Sequence, residues 1–296
     1  FLLHVNDIAN VSELISKIMF ADDTNMFMPG YDSDTLAKDF TQELQKVNVW
    51  IQANKLSLNL NKTNFMLFKN KRNVSTSPKI FMNNVGIEQI NKSKFLGVVL
   101  DDRLSWIHHI DHIAKKVSNS IGILTRLSKY LDSETLLIMY NAFVFPYLHY
   151  CNEVWGHAYA SHLNRLKLLQ KRAVRIISKS KWLEHSTPLF NNLGLLQFNN
   201  INKYIVSQFM FRAYHKSLPK VINDLFTTNY SAHSYDTRQS HEFHVPLTRS
   251  NITKMTISYK GVTIWNSISR DVDSNCKLST FKYRVKNFLL KQQMML

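Results

Sequence analysis

Met19-Phe20-Ala21-Asp22-Asp23-Thr24 is the stretch on which the reading of this chain turns. A short apolar run, Ile15-Ser16-Lys17-Ile18-Met19-Phe20-Ala21, leads into two adjacent carboxylates, and apolar Met26-Phe27-Met28 follows. That pattern predicts a tight β-hairpin with both aspartates at its tip. Two like charges a few ångström apart are costly to keep ionised away from water, and a divalent cation removes the cost. Carboxylate-held Mg²⁺ ions about 3.5–4 Å apart carry phosphoryl transfer in polymerases and nucleases. The plainer reading is a solvated Asp-Asp turn, because Asp is common in turns. The flanking residues decide between the two.

Phe1-Leu2-Leu3-His4-Val5-Asn6-Asp7-Ile8 precedes the box. Downstream come Trp50-Ile51-Gln52-Ala53-Asn54-Lys55-Leu56-Ser57-Leu58-Asn59-Leu60-Asn61-Lys62-Thr63 and then Lys94-Phe95-Leu96-Gly97-Val98-Val99-Leu100-Asp101. In this order the four segments resemble consecutive motifs of reverse transcriptases from non-LTR (LINE-class, jockey-like) retrotransposons, with Phe20-Ala21-Asp22-Asp23 as the catalytic aromatic-Ala-Asp-Asp box. Further hallmarks of that family recur along the chain: Leu104-Ser105-Trp106, Pro146-Tyr147-Leu148 with Tyr150, Trp155-Gly156 and Gln170-Lys171-Arg172-Ala173-Val174-Arg175. Tyr235-Asp236-Thr237-Arg238, Tyr259-Lys260-Gly261 and Trp265-Asn266 complete the set.

The resemblance implies an RNA-directed DNA polymerase that uses Mg²⁺ (or Mn²⁺), deoxynucleoside triphosphates, an RNA template and a DNA primer. It implies Asp22 as the ligand bridging both metals and Asp23 as the second carboxylate. By the same resemblance Lys62 lies near the incoming triphosphate and protonates the leaving pyrophosphate; a surface lysine beside an Asn turn is the alternative. Phe95-Leu96-Gly97 would grip the primer terminus, with Gly97 allowing close backbone approach, or else Gly97 is an ordinary turn glycine. Phe20 and Ala21 would support the nucleotide site, Phe20 from beneath the hairpin. The family places fingers, a third metal-binding Asp and an endonuclease upstream of this box. The chain is therefore expected to be a C-terminal fragment of a reverse transcriptase, without activity by itself. The alternative is a non-catalytic, nucleic-acid-binding remnant of a retroelement.

Composition narrows the class without choosing between these. The chain has 296 residues, 45% apolar and 12% aromatic, enough for a substantial core and for more than one domain. Two cysteines, Cys151 and Cys276, provide neither a disulfide framework nor zinc-ligand spacing. No apolar run approaches the ~20 residues needed to span a bilayer, and an intracellular setting, cytoplasm and nucleus, is the expectation. The net charge is +16, unevenly placed: residues 1–50 hold 3 Lys/Arg against 8 Asp/Glu, whereas residues 51–296 hold 34 against 13. An acidic metal-binding segment joined to a basic body suits a protein that clamps a phosphate backbone.

Periodicity predicts an α+β fold: the C-terminal half of a polymerase palm over residues 1–103, a helical thumb-like region over 104–184 and a basic C-terminal region over 185–296. The palm half is expected to hold the Asp-Asp hairpin, a helix over 34–54, and an antiparallel sheet from strands at 56–60, 64–68, 79–82 and 95–100, with a loop at 70–78. Beyond it, Trp106, Ile110, Ile113, Val117, Ile121, Leu124 and Leu127 mark one long helix. A second helix over about 133–145 ends at Pro146. A third, 162–178, carries Leu163, Leu166, Leu169, Ala173 and Ile176 on one face. Arg165, Lys171, Arg172, Arg175 and Lys179 are its candidate contacts to nucleic acid. Helices over 201–216 and 279–293 follow. His108 and His112 share a helix face but have no third partner at metal-ligand spacing.

Overall fold

In the computed structural model the described residues are 5–69, 78–232 and 239–295. Phe1 to His4, the expected loop from residue 70 onward and the Tyr235-Asp236-Thr237-Arg238 motif thus lie outside them, in whole or in large part. The chain divides after Leu104 into two compact units.

The first unit is built on a hairpin and one long helix. Strand β1, Ser16–Phe20, pairs antiparallel with β2, Asp23–Phe27, through the register Ser16–Phe27, Ile18–Asn25 and Phe20–Asp23. Alternation sends Lys17, Met19 and Met26 to one face and Ile18, Phe20 and Phe27 to the other. Helix α1, Ser33–Ala53, starts at Asp32, whose carboxylate accepts from the Thr35 amide at 2.8 Å. Its buried stripe of Ala37, Leu44, Val47 and Ile51 meets Met19, Met26, Ile8, Ile80 and Met82 in two small adjoining clusters. Lys17 ties the hairpin to the preceding turn, donating to the Ala9 carbonyl at 2.9 Å and the Ser12 carbonyl at 2.7 Å.

The expected continuous sheet does not form. Among the described residues the strands make four separate pairs, and one of them is parallel: β3, Asn64–Phe65, lies beside β6, Glu88–Gln89. Strands β4, Phe81–Met82, and β5, Val85–Gly86, form a minimal hairpin. No strand occupies 56–60. The helix α1 ends with Lys55 at φ 56°, and the Leu56 amide reaches back to the Ile51 carbonyl at 3.0 Å. Leu56 packs onto the Ile51 cluster, the hydrophobic contact that accompanies this kind of helix end. Residues 57–59 run on without regular structure into a 3₁₀ turn at Leu60–Lys62. The expected strand over 95–100 is instead the middle of a hairpin. Strand β7, Lys92–Phe95, turns at Leu96 (φ 45°) and Gly97 (φ 85°) into β8, Val98–Asp101.

The second unit is helical. Helix α2, Ile107–Leu127, buries Ile110, Ile113, Val117, Ile121 and Leu124. Helix α3, Ser133–Phe143, is capped by Asp132, and Pro146 sits at the start of the next short helix, α4, Phe145–His149, where its missing amide has no helical partner to lose. Helix α5, Asn152–Trp155, precedes α6, Ala160–Ile177, which packs along α2. The stripe of α6 is rotated from expectation. Leu163, Leu166 and Ala173 are buried as expected, but Gln170, Val174 and Ile177 join them, while Leu169 and Ile176 are only half-buried. A buried Gln is tolerated because its amide is satisfied: Gln170 Nε2 donates to the Tyr140 hydroxyl at 2.9 Å and to the Leu196 carbonyl at 3.0 Å. Helix α7, Ser186–Asn192, packs Leu189 and Phe190 with Val174 of α6 in a small cluster. Helices α8, Phe198–Tyr214, α9, Val262–Ile268, and α10, Leu278–Met294, complete the main core around Trp155, Phe198, Trp265 and Phe281. The fold is thus mixed: helices with small two-stranded sheets. No helix among the described residues is long and apolar enough to cross a membrane.

Candidate active site

The two aspartates stand at the tip of the first hairpin. Ala21 and Asp22 form its two-residue turn, and Asp23 opens β2 opposite Phe20. Only Ala21 of the pair has a positive φ, 52°, a conformation that the II′ class of hairpin turn reserves for its first position and usually fills with Gly. Both carboxylates are exposed, and neither has an ion-pair partner among the described residues. Such a pair of unneutralised, hard oxygen donors fits a divalent cation that keeps part of its shell for water or phosphate. Among the described residues no third acidic, His or Cys side chain joins them in a group that could hold an ion. Phe20 is not beneath the hairpin. It is 59% exposed, on the same outer face as Ile18 and Phe27, because the register assigns the inner face to Met19 and Met26.

The other candidates lie on separate elements. Lys62 is exposed at the end of the 3₁₀ turn, next to a shallow concavity of about 420 Å³ lined by Ser57, Leu58, Asn59, Leu60 and Asn61. Phe95 is half-buried, and Leu96 and Gly97 form the exposed turn of the last hairpin in this unit. Gly97 has a left-handed backbone there, at φ 85°.

In the helical unit the basic residues of α6 separate into groups. Arg165 pairs with Asp111 of α2 at 3.0 Å, and Lys171 is exposed. Arg172, Arg175 and Lys179 converge with Ser128, Ile176, Ser180 and Trp182 around a cleft of about 450 Å³. Trp182 was not singled out from the sequence. The signal was there in Lys179-Ser180-Lys181-Trp182, an aromatic interleaved with cations directly after a basic helix.

Several of the motif residues of this unit belong to its core. Leu148, Trp155, Ala173 and Val174 are fully buried. Asn202 donates from Nδ2 to Asn152 Oδ1 at 2.7 Å, and Asn152 donates to the Leu148 carbonyl at 3.0 Å. Asn266 exchanges two hydrogen bonds with the Phe243 backbone at 3.2 and 2.8 Å. Two histidines nearby are buried: His109, edge-on to Trp155 at 5.3 Å, and His157. Burial, reinforced by His112 and by Lys260 respectively, pushes each imidazole down from 6.5 to about 4.

Comparison with known proteins finds relatives of one kind. The probable RNA-directed DNA polymerase from transposon X-element of Drosophila melanogaster is 29% identical over 190 residues, 62% of this chain and 21% of that protein. The RNA-directed DNA polymerase from mobile element jockey of the same organism is 23% identical over 196 residues, 65% of this chain and 21% of that protein. A third, from transposon BS, is 26% identical over 179 residues, 60% of this chain and 20% of its own length. The chain spans about a fifth of the length of the curated relatives it matches. No family model and no solved structure matches.

Proposed function

We propose that this chain, a jockey-like reverse-transcriptase sequence over about three-fifths of its length, is part of an RNA-directed DNA polymerase of a non-LTR retrotransposon and carries two of its metal-binding carboxylates. In this reading residues 1–103 belong to the palm, 104–184 to a thumb-like region and 185–296 to a basic C-terminal region. The observation that carries the proposal is the exposed, unneutralised Asp22-Asp23 pair at a hairpin tip, set in a sequence that matches polymerases of this kind.

Asp22 and Asp23 would hold Mg²⁺ (or Mn²⁺), which neutralises the triphosphate of the incoming nucleotide and acidifies the primer 3′-hydroxyl. The hairpin fixes the carboxylates by pairing five residues on each strand and by anchoring Lys17 to two carbonyls. Lys62 would place its ammonium near the leaving pyrophosphate and donate a proton there. The Leu96-Gly97 turn would offer backbone to the primer terminus. RNA template, DNA primer and deoxynucleoside triphosphates are the partners this assigns.

The test is primer extension by an intact polymerase that contains this sequence. Asp22→Asn and Asp23→Asn are each expected to lower incorporation by about 10²–10³-fold, the scale on which removing a key electrostatic group acts; unchanged incorporation would refute the assignment. Since no third carboxylate joins the two among the described residues, the 296-residue chain alone is expected not to extend a primer. A second reading, a non-catalytic nucleic-acid binder, is favoured by the cleft of Arg172, Arg175 and Lys179. It requires binding that weakens steeply with salt.

A further inference from the structure

We infer that the cleft at the end of α6 binds a single-stranded segment of nucleic acid, with one base stacked on Trp182 and the adjoining phosphates held by Arg172, Arg175 and Lys179. The substrate class rests on the polymerase reading; the subsite and its mode of recognition go beyond it.

Trp182 is 68% exposed, although Trp is among the side chains that gain most from burial. The Arg172 guanidinium lies over its ring at 5.9 Å from the centroid, so one face is occupied by a cation while much of the ring stays open. The exposure is not that of a loose loop. Arg175 Nε donates to the Glu184 carbonyl at 2.9 Å, the Lys181 amide donates to Glu184 Oε2 at 3.2 Å, and the Glu184 amide donates to the Lys181 carbonyl at 3.1 Å. The turn that presents the indole is therefore ordered before any ligand arrives, which lowers the entropy lost on binding.

Lys179 lines the cleft from the end of α6. The Ser180 amide bonds to the Arg175 carbonyl at 3.0 Å and the Lys179 amide to the Ile176 carbonyl at 3.2 Å. This is a Schellman end with Lys179 in its left-handed position, at φ 52°, as Lys55 and Lys216 are at the ends of α1 and α8. Gly favours that position; at the end of α6 it is filled by a cation that adds its charge to those of Arg172 and Arg175.

Two acids lie nearby: Asp132, which accepts from the Thr135 amide at 3.0 Å and attracts Lys179, and Glu184, which accepts from the Lys181 backbone amide at 3.2 Å. Against Arg172, Arg175 and Lys179 they leave the balance positive. The open indole selects among anions. Bases of a duplex are already stacked on each other, and an acidic peptide has no flat ring to place against Trp182; only an unstacked nucleotide uses both the ring and the cations.

The test uses the full 296-residue chain, fluorescence anisotropy, a labelled oligothymidylate and a duplex of equal length. Trp182→Ala is expected to weaken oligothymidylate binding about tenfold, the scale of one lost base–aromatic stack, and to leave duplex binding within about twofold. Trp182→Phe, which keeps a ring and guards against a mere folding defect, should retain most of the affinity. Lys179→Gln is expected to weaken both ligands and to reduce the log–log salt slope by about one. Lys179→Gly should raise the thermal midpoint while losing the same contact. The proposal is overturned if Trp182→Ala leaves oligothymidylate binding unchanged, if it weakens both ligands equally, or if polyglutamate binds as tightly as oligothymidylate. None of these outcomes touches the role of Asp22 and Asp23, which primer extension tests separately.

Discussion

Trp155 and Gly156 show at the scale of single residues what a hallmark dipeptide is for. The Gly156 amide bonds to the Asn152 carbonyl at 2.8 Å, and a Cβ at this position would collide with the side chains of both Asn152 and Asn202. Those two amides hold helices α5 and α8 together, so the collision cannot be relieved by swinging a free side chain aside. Gly156→Ala is expected to cost about 2–4 kcal/mol, the upper range for overpacking a filled interior, read as a lower urea midpoint. The buried histidines predict a pH dependence. With folded pKa values near 4 against 6.5, His109 and His157 are neutral in the native state at pH 7. As pH falls below about 6.5 the unfolded chain takes up protons that the folded chain refuses until about pH 4. Stability is therefore full above that window and falls through it, by up to ~3 kcal/mol per histidine. Urea midpoints at neutral and mildly acidic pH should show the decline, and the His109→Gln, His157→Gln double variant should show much less of it.

At the scale of elements, helices were more legible than strands, for a physical reason. The repeat Ile110, Ile113, Val117, Ile121, Leu124 marks a helix by itself, because every backbone bond of a helix is made within the segment. Leu56-Ser57-Leu58-Asn59-Leu60 alternates as a strand should, but alternation states which way side chains point and not which chain pairs alongside. Leu56 was needed to close α1, and no partner strand lies beside the rest. Phe95-Leu96-Gly97 hid a hairpin turn because Leu96 takes a left-handed backbone that its side chain disfavours; Gly97 was the available signal. The Asp-Asp hairpin was read correctly from two apolar runs flanking charged residues, though the face of Phe20 was not, since a five-residue strand can pack by either side. Ala21 carries the backbone strain of that turn. Ala21→Gly is expected to stabilise the hairpin by up to ~1 kcal/mol, measurable as slower amide exchange in β1 and β2. Weaker protection there would contradict the turn assignment.

Over the whole molecule the two units differ in how much apolar surface they bury. The helical unit has one large core built on Trp155, Trp265, Phe198 and Phe281 and a small cluster around Phe190, whereas the first unit has only two small clusters, around Val47 and Leu44. Amides of α2, α6 and α8 are therefore expected to exchange with solvent far more slowly than those of the four strand pairs; equal protection would show that buried area does not set the order of opening here. Charge also differs between them: residues 1–104 hold 12 Lys/Arg against 11 Asp/Glu, and residues 105–296 hold 25 against 10. The outer face of the first hairpin has a consequence for any experiment on its aspartates. Ile18, Phe20 and Phe27 are 53%, 59% and 44% exposed on a two-stranded ribbon, the kind of surface on which copies of a protein stick edge to edge. The two negative charges at the tip act as gatekeepers against that stacking. An Asp22→Asn, Asp23→Asn chain should self-associate at lower concentration than wild type in sedimentation, so lost polymerisation must be scored on monomeric protein, with Asp22→Glu as the charge-preserving control.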